Sequence, residues 1–343
     1  MRLRLTLLIA LVGAIASCKA APAQDGPGAR RAFYYWRTTF ALSAAERTAL
    51  TEAHVTTLYV RAFDLGWSAI EGRAEVLGGL TSAEAAPAGV DVVPVVYIKN
   101  EVFQKLATAK LPELAQTTWT GVQARMRALG APRELQLDCD WTPSTRDAYF
   151  AFLRQLRAVA GVPLSATIRL HQAKFREKTG VPPVERGMLM FYNMGTFSAA
   201  EGKRAIFDAP TASQYLERLP TYPLPLDVAL PIYSWSVQLR DDRVEALLQA
   251  VDPDELPKLD FVEAAGDDRF RVTRSAFLHG TMLREGDMLK IERMGPADTL
   301  EAAALVAPRL PPGSRTVSLF DLSERNLTRY GTDDLEHIFG ALR

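Results

Sequence analysis

Short runs of β-branched and aromatic residues alternate with helical stretches from residue 31 onward. This alternation is typical of parallel β/α units, in which each strand is followed by a helix that covers the sheet. Eight such runs are present, at 32–37, 55–61, 90–98, 134–140, 164–170, 187–193, 226–233 and 315–321. Eight units in roughly 310 residues predict an α/β fold, a (β/α)8 TIM-type barrel, with a doubly wound open sheet as the alternative.

Local signals place some of the intervening helices. Ser43 and Glu46 have the spacing of a capping box, which opens the first helix. Pro143 suits the first position of the helix after the fourth strand, and residues from Thr332 begin the last helix. Residues from about 252 to 294 contain short alternating runs and predict a small hairpin-rich subdomain, inserted between the seventh strand and its helix.

The first residues have the layout of an export signal. Arg2 and Arg4 precede an apolar run at 5–16 that is short for a membrane span. The segment that ends at Cys18 resembles the lipobox of bacterial lipoproteins, in which the cysteine is lipidated and becomes the mature N-terminus. This resemblance implies a signal peptide at 1–17 and an anchor that holds the protein at a membrane.

The mature chain is then organised around that anchor. Residues 18–30 are the lipidated cysteine and an Ala/Pro/Gly-rich tether, and residues 31–343 are the barrel domain. The residue directly after Cys18 is Lys19 rather than an aspartate. The resemblance to lipoproteins that lack an aspartate at this position implies a place at the outer membrane, facing the periplasm or the cell surface. Cys139 has no other cysteine to pair with if Cys18 carries lipid.

Charge balance, residue spacing and motifs argue against several classes of partner and cofactor. The 40 basic and 40 acidic residues balance, which argues against nucleic acid. The four histidines show no metal-ligand spacing, and no phosphate-cradling or dinucleotide-binding glycine motif is present. We therefore expect no metal and no cofactor.

The fourth strand carries two carboxylates near its end. A period of two places Asp138, Asp140 and Thr142 on one face, and catalytic groups of such barrels lie at the C-terminal ends of strands. Two like charges held close together need a compensating cation, or the pKa of one carboxyl rises. Arginine and lysine residues near other strand ends could supply that charge: Arg37, Arg61, Lys99 and Arg169. A purely structural ion-pair network is the alternative.

Three segments resemble one enzyme family. The residues Asp138, Asp140 and Thr142 are similar to the D-x-D-x-E signature of family 18 glycoside hydrolases, the chitinase-like barrels. The segment that ends in Tyr192 and Asn193 resembles the family's M-x-Y-D element, and the segment from Leu230 through Tyr233 to Trp235 resembles G-x-P-x-Y-G. An insertion after the seventh strand is also common in that family. Residues 135–157 resemble, in addition, an uncharacterised bacterial family, domain of unknown function 3142.

The sequence departs from the family at the proton donor. Family 18 enzymes use the glutamate of their signature as general acid, and here Thr142 stands in its place. A hydroxyl without a nearby base cannot protonate a glycosidic oxygen at a useful rate. Thr142 is also expected to cap the helix that follows. Asn193 likewise replaces the family's aspartate.

Two hypotheses follow. The first is a glycoside hydrolase of altered mechanism, in which Asp140 works with a second carboxylate: Glu101, Asp321 or Glu324. The second is a non-catalytic glycan-binding or structural envelope protein with a degenerate site. Aromatic residues at or beyond strand ends favour a sugar in either case, although each could equally be barrel packing. These residues are Trp36, Trp67, Trp141, Tyr192, Tyr233 and Trp235.

Overall fold

The computed structural model describes residues 29–195, 204–241, 243–248 and 251–342. The predicted signal peptide and Cys18 lie outside these ranges. Within them, no helix is both long enough and apolar enough to span a membrane. Cys139 is buried, and no disulfide partner for it is present in the described ranges.

The strands, in chain order, are β1 Arg30–Tyr35, β2 Thr39–Phe40, β3 Thr57–Ser68, β4 Arg73–Gly79, β5 Thr81–Ser82, β6 Asp91–Ile98, β7 Leu135–Asp138, β8 Leu164–Arg169, β9 Arg186–Met190, β10 Leu226–Pro231, β11 Ser234–Arg240, β12 Arg243–Leu248, β13 Val262–Ala264, β14 Arg269–Val272, β15 Ala276–Leu278, β16 Thr281–Leu283, β17 Met288–Arg293 and β18 Thr316–Phe320.

The α-helices are α1 Ala44–Glu52, α2 Glu101–Lys105, α3 Leu111–Met126, α4 Arg146–Ala160, α5 Leu170–Lys174, α6 Arg176–Thr179, α7 Ala209–Ser213, α8 Pro296–Val306, α9 Glu324–Leu327 and α10 Thr332–Gly340. Short 3-10 turns lie at Thr108–Lys110, Leu219–Thr221, Leu256–Lys258 and Ala307–Arg309.

Eight parallel strands close into a barrel. They pair in the order β1, β18, β10, β9, β8, β7, β6, β3, and β3 returns to β1 through Leu58 beside Phe33. This last pairing excludes the open sheet, because an open sheet has two unpaired edges. The prediction of a (β/α)8 TIM-type barrel is therefore confirmed.

The predicted strands correspond to the eight strands of the barrel. The largest difference is at the second of them, β3, which extends to Ser68 and pairs there with the antiparallel strand β4. β7 is shorter than predicted and ends at Asp138, so the period-two pattern does not extend to Asp140 and Thr142.

Two of the three predicted helix starts are confirmed. Ser43 and Glu46 form a reciprocal capping box at α1, and α10 begins at Thr332. The third prediction is wrong. The helix after β7 begins at Arg146 with Thr145 preceding it, because the chain turns for several residues after the strand before it becomes helical. Neither Thr142 nor Pro143 therefore occupies the helix start.

A second β-sheet lies between β10 and α8. Its strands pair antiparallel in the order β12, β11, β17, β14, β13, and β15 pairs with β16 beside it. The buried apolar residues of this region form a cluster separate from the core of the barrel, and this cluster includes Leu256, Val272 and Leu289. The strands of this sheet begin at Ser234, ahead of the 252–294 range expected from sequence.

Candidate functional site

A cleft of about 660 Å³ opens at the C-terminal ends of the barrel strands. This is the end at which barrel enzymes place their active sites. The cleft is lined by Trp36, Arg37, Asp64, Tyr97, Asp138, Arg169, Met190, Tyr192, Asn193, Tyr233, Ser234, Trp235, Phe320, Asp321, Ser323 and Arg325.

Asp138 lies in the floor of the cleft, at the end of β7. Its residue is only 4% exposed, and Oδ1 accepts a hydrogen bond from Thr167 Oγ1 at 2.7 Å. Arg169 Nη2 lies 3.9 Å from the same oxygen. Burial raises the pKa of Asp138 above its ordinary value, and the nearby Arg169 opposes that rise.

Arg169, at the end of β8, also holds Asp140. Its Nε donates to Asp140 Oδ1 at 2.5 Å, and Nη2 approaches Oδ2 at 3.4 Å. Burial alone would lower the pKa of Arg169, but Asp138 and Asp140 raise it overall, so the guanidinium stays charged. One buried cation thus compensates the two carboxylates that the sequence placed together.

Aromatic rings form the base and one side of the cleft. The ring of Phe320, at the end of β18, lies 5.4 Å from that of Tyr34, 5.5 Å from Trp36, 5.4 Å from Tyr192 and 5.8 Å from Tyr233, between ring centroids. These pairs are tilted or edge-on, which is the favourable geometry for aromatic contacts. The result is a rigid apolar surface beneath the polar groups.

Two residues that line the cleft, Tyr192 and Ser234, carry hydroxyl groups without a strong partner in the described part of the chain. Tyr192 is 4% exposed, and within the described ranges its hydroxyl makes one hydrogen-bond contact, with the sulfur of Met190 at 3.8 Å. The hydroxyl of Ser234 is buried without any hydrogen-bond partner in the described residues. Such groups are costly to bury unsatisfied, so a ligand that bonds to them would gain affinity.

Asp321 follows β18 on the opposite side of the cleft from Asp138. Asn326 Nδ2 donates to its Oδ1 at 2.6 Å. Burial raises the pKa of Asp321 above its ordinary value, while Arg325 and the Asn326 hydrogen bond act in the other direction. A carboxyl group in this setting can hold a proton at a higher pH than an exposed aspartate.

A recess of about 440 Å³ adjoins the cleft and shares Arg169 with it. Asp140, Thr142 and His171 line this recess. Burial lowers the pKa of His171, which favours the neutral imidazole. Thr142 Oγ1 is hydrogen-bonded within its own turn, at 2.9 Å from the Ser144 hydroxyl.

Charged residues beneath the rim fix several lining side chains. Glu46 is fully buried; its Oε2 accepts from Arg37 Nη2 at 2.7 Å, and its Oε1 accepts from the backbone of Glu324 at 3.1 Å. Arg61 donates through Nε to Asp64 at 2.8 Å. These pairs hold Arg37 and Asp64 at the cleft and tie the first and last barrel loops together.

The walls after β9 and β10 are held in the same way. Tyr233 donates its hydroxyl to Asn193 Oδ1 at 2.6 Å, and Trp235 donates its indole N–H to Glu292 Oε2 at 3.3 Å. Glu292 is 3% exposed and belongs to the inserted sheet. The inserted sheet therefore positions one aromatic wall of the cleft.

Comparisons with known proteins agree on the fold. The chain is similar to two spore cortex-lytic enzymes named SleL. For the enzyme from Bacillus cereus the TM-score is 0.51 at 13% identity, over 92% of this chain and 74% of the other. For that from Bacillus megaterium the TM-score is 0.53 at 11% identity, over 92% and 75%. The likeness is one of fold. No protein-family model and no curated protein sequence matches the chain.

The barrel thus shares its overall fold with these two enzymes, and its cleft gathers most of the residues expected from sequence. Ten of the charged, polar and aromatic residues proposed from sequence line the cleft or its recess: Trp36, Arg37, Asp138, Asp140, Arg169, Tyr192, Asn193, Tyr233, Trp235 and Asp321. Arg61 lies behind the lining and reaches it through Asp64.

Other predicted site residues lie outside the lining of the cleft and its recess, among them Trp67 and Glu324. Trp141 is fully buried, stacks on Tyr149 at 5.3 Å and donates to the carbonyl of Thr179, so it is a core residue and cannot reach a ligand. Glu101 is exposed at the start of α2 and pairs with Lys105, four residues away. Lys99 is exposed and lies outside the cleft lining.

Sequence reasoning missed several lining residues. Asp64 and Tyr97 follow from the true lengths and register of β3 and β6, because they pair directly across these two strands. Phe320 immediately precedes the predicted Asp321 at the end of β18, and an aromatic residue at a strand end was a usable signal. Ser234 carried no signal of its own, since serine is common at strand starts.

Proposed function

We propose that the protein binds a glycan in the cleft at the mouth of its barrel. One observation carries this proposal: Tyr192 and Ser234, whose hydroxyl groups have no strong partner among the described residues, line the cleft together with Phe320. A pyranose offers hydroxyl groups to such atoms and C–H faces to such rings. The combination of an apolar surface with a few convergent polar groups is typical of small-ligand sites.

The charges of the cleft favour a neutral sugar. Its lining contains three arginines and three aspartates, and these are Arg37, Arg169, Arg325, Asp64, Asp138 and Asp321. Arg37 is paired with the buried Glu46, and Asp64 with Arg61. A charged sugar would have to disrupt these pairs, whereas a neutral sugar would leave them intact.

The cleft does not support the chemistry of family 18. Thr142 stands where that family has its acid, and its hydroxyl is bound to Ser144. Asp140, which would orient the acetamido group of the sugar, is held by Arg169. The fold likeness to the two cortex-lytic enzymes is compatible with a glycan partner. Membership of family 18, or of domain of unknown function 3142, remains a proposal that rests on the sequence motifs.

We further propose that the protein is a lipoprotein of the cell envelope, anchored through Cys18 and probing glycans at the outer membrane. The support is the signal-like segment at 1–17 and the lipobox-like residues before Cys18. Cys18→Ser should leave the chain as a soluble periplasmic protein or as an uncleaved precursor. Partition of a mature-sized Cys18→Ser chain into the detergent phase would contradict the anchor.

A glycan array tests the binding proposal. The protein should bind at least one of four neutral hexasaccharides, which are chitohexaose, cellohexaose, xylohexaose and mannohexaose. Its affinity for that hexasaccharide should exceed its affinity for the acidic polymers hyaluronan and polygalacturonate. Trp235→Ala should weaken that binding, because its indole lines the cleft. Phe277→Ala is the matched control, since Phe277 is 74% exposed on a hairpin of the inserted region and does not line the cleft. Binding to none of these glycans would contradict the proposal.

A further inference from the structure

Two carboxyl groups of the cleft stand on opposite sides of the barrel. Asp138 ends β7 and Asp321 follows β18, and four steps separate these strands in either direction around the closed sheet. Both side chains line the same cleft. We therefore expect a ligand to lie in the space between the two carboxyl groups.

The surroundings of the two groups differ in a way that suits different roles. Asp138 has a cation close by, Arg169 Nη2 at 3.9 Å, and a hydroxyl donor, Thr167, at 2.7 Å. Both contacts favour a carboxylate. Burial raises the pKa of both carboxyl groups, but no arginine or lysine of the described residues lies within salt-bridge distance of Asp321. Its side-chain donor is the neutral amide of Asn326, at 2.6 Å, and Arg325 opposes the rise in the pKa of Asp321 from further away. This setting favours a protonated carboxyl group.

In each case one carboxyl oxygen remains for chemistry. The contacts of Thr167 and Arg169 with Asp138 go to Oδ1, and the Asn326 side chain also uses Oδ1 of Asp321. No side chain of the described residues donates a hydrogen bond to Oδ2 of either residue, so Oδ2 can contact a water molecule or a glycosidic oxygen. General acids and bases must come within hydrogen-bond distance of the proton that they transfer.

We propose that the cleft hydrolyses a glycosidic bond with inversion, Asp321 acting as general acid and Asp138 as general base. This inference rests on the proposed glycan binding. Asp321 gives its proton to the glycosidic oxygen as the bond from that oxygen to the anomeric carbon breaks. A water molecule on the opposite face of the sugar forms the new bond to the anomeric carbon and gives its proton to Asp138. Transfer of one proton back to Asp321 through solvent restores the starting state.

The placement of the two carboxyl groups on opposite strands is our reason for proposing inversion. Inverting glycosidases hold their carboxyl pair about 6.5–9.5 Å apart, which leaves room for the attacking water, whereas retaining pairs lie at about 5–5.5 Å. Groups on opposite strands of an eight-stranded barrel face each other across the mouth. The cleft of about 660 Å³ between them has room for a sugar and a water molecule.

The first test compares hydrolysis with binding. Wild type should cleave whichever of the four neutral hexasaccharides it binds, and Asp321→Asn and Asp138→Asn should each lose roughly 10²–10⁴-fold in kcat, the usual contribution of a general acid or base. Affinity for the uncleaved hexasaccharide should change much less. Asp147→Asn, a change at an exposed residue paired with Arg146, is the control and should retain full activity.

The second test separates the two roles. The glycosyl fluoride of the same sugar and anomeric configuration needs no proton for its leaving group, so Asp321→Asn should hydrolyse it at nearly the wild-type rate, which also shows that the variant is folded. Asp138→Asn should not. The first product detected by proton NMR should have the inverted anomeric configuration.

Three outcomes would overturn the inference. These are binding without hydrolysis by wild type, a retained configuration in the first product, and loss of fluoride hydrolysis in Asp321→Asn that matches the loss on the hexasaccharide. Binding without hydrolysis would leave the proposed glycan binding intact. Failure to bind any of the hexasaccharides would overturn both.

Discussion

Arg169 Nε donates to Asp140 Oδ1 at 2.5 Å, while the Nη2 of the same guanidinium lies 3.9 Å from Asp138 Oδ1. The two aspartates are two residues apart in sequence, but one is buried and the other is half-exposed. A single cation from the neighbouring strand therefore contacts both carboxyl groups at the barrel mouth. The removal of this cation should have consequences for both stability and binding.

Arg169→Gln should destabilise the protein by about 3–5 kcal/mol, because it leaves the buried Asp138 without its cation. Equilibrium unfolding in urea measures the loss. Arg218→Gln is the control: it removes an arginine from the exposed pair with Glu177, and exposed ion pairs contribute little to stability. Equal effects of the two substitutions would show that Asp138 does not depend on Arg169.

Substitutions of Trp141 and Trp235 should have different effects on protein stability and on glycan binding. Trp141→Ala should cost about 3–5 kcal/mol, since it empties a fully buried position beside Tyr149. The folded fraction should bind glycan with unchanged affinity. Trp235→Ala should show the larger loss of affinity, because its ring lines the cleft. Thermal unfolding and calorimetric titration of both variants check this, and a loss of affinity confined to Trp141→Ala would contradict the placement of the two residues.

The different locations of these two tryptophans also show how much of the site could be predicted from the sequence. The alternation of strand and helix was enough to find all eight barrel strands, because each strand is a short apolar run between recognisable turns. It also located Asp138, Tyr192 and Tyr233 at strand ends. It could not distinguish Trp141 from Trp235, since whether a ring just beyond a strand turns inward or outward depends on the turn that follows.

The sequence also could not predict which side chains meet across the barrel strands. Arg169 was one of four candidate cations for the two aspartates, and only the pairing of β7 with β8 brings it to them. Asp64 was missed because β3 continues beyond its expected end. Glu101 was chosen for its position after β6, but the first residue of α2 faces outward and pairs along the helix.

Asp321→Asn should stabilise the protein at neutral pH. Burial raises the pKa of Asp321 in the folded state above the ordinary value of 3.8, so the folded state binds this proton more tightly than the unfolded state does. Stability from this group is therefore lost as the pH rises from 3.8 through the raised value. Asparagine carries no such cost.

The comparison is made by urea unfolding of wild type and Asp321→Asn at pH 7 and near pH 4. The variant should be the more stable at pH 7, and its advantage should shrink toward pH 4, where the wild-type carboxyl group is protonated. A variant that is less stable than wild type at pH 7 would show that the ionised carboxylate is a net stabiliser of the fold.

Thr142→Glu should not create family 18 activity by itself. Thr142 does not cap α4, so we expect the substitution to cost no more than about 1 kcal/mol, the usual value of a lost hydrogen bond. Asp140 remains held by Arg169 and cannot assist the new acid. Chitohexaose turnover by the variant should equal that of wild type, and a gain of retaining activity would show that Asp140 is free to act.

Tyr192→Phe tests the glycan cleft most directly, because it removes one hydroxyl and nothing else. Among the described residues, the one hydrogen-bond contact of that hydroxyl is with the sulfur of Met190 at 3.8 Å, so its loss should leave the thermal unfolding temperature unchanged or slightly raised. Calorimetric titration with the hexasaccharide bound by wild type should show a fall in affinity of about tenfold, which corresponds to about 1.4 kcal/mol, one hydrogen bond to the ligand. An unchanged affinity together with a lowered unfolding temperature would contradict a glycan-binding role for the cleft.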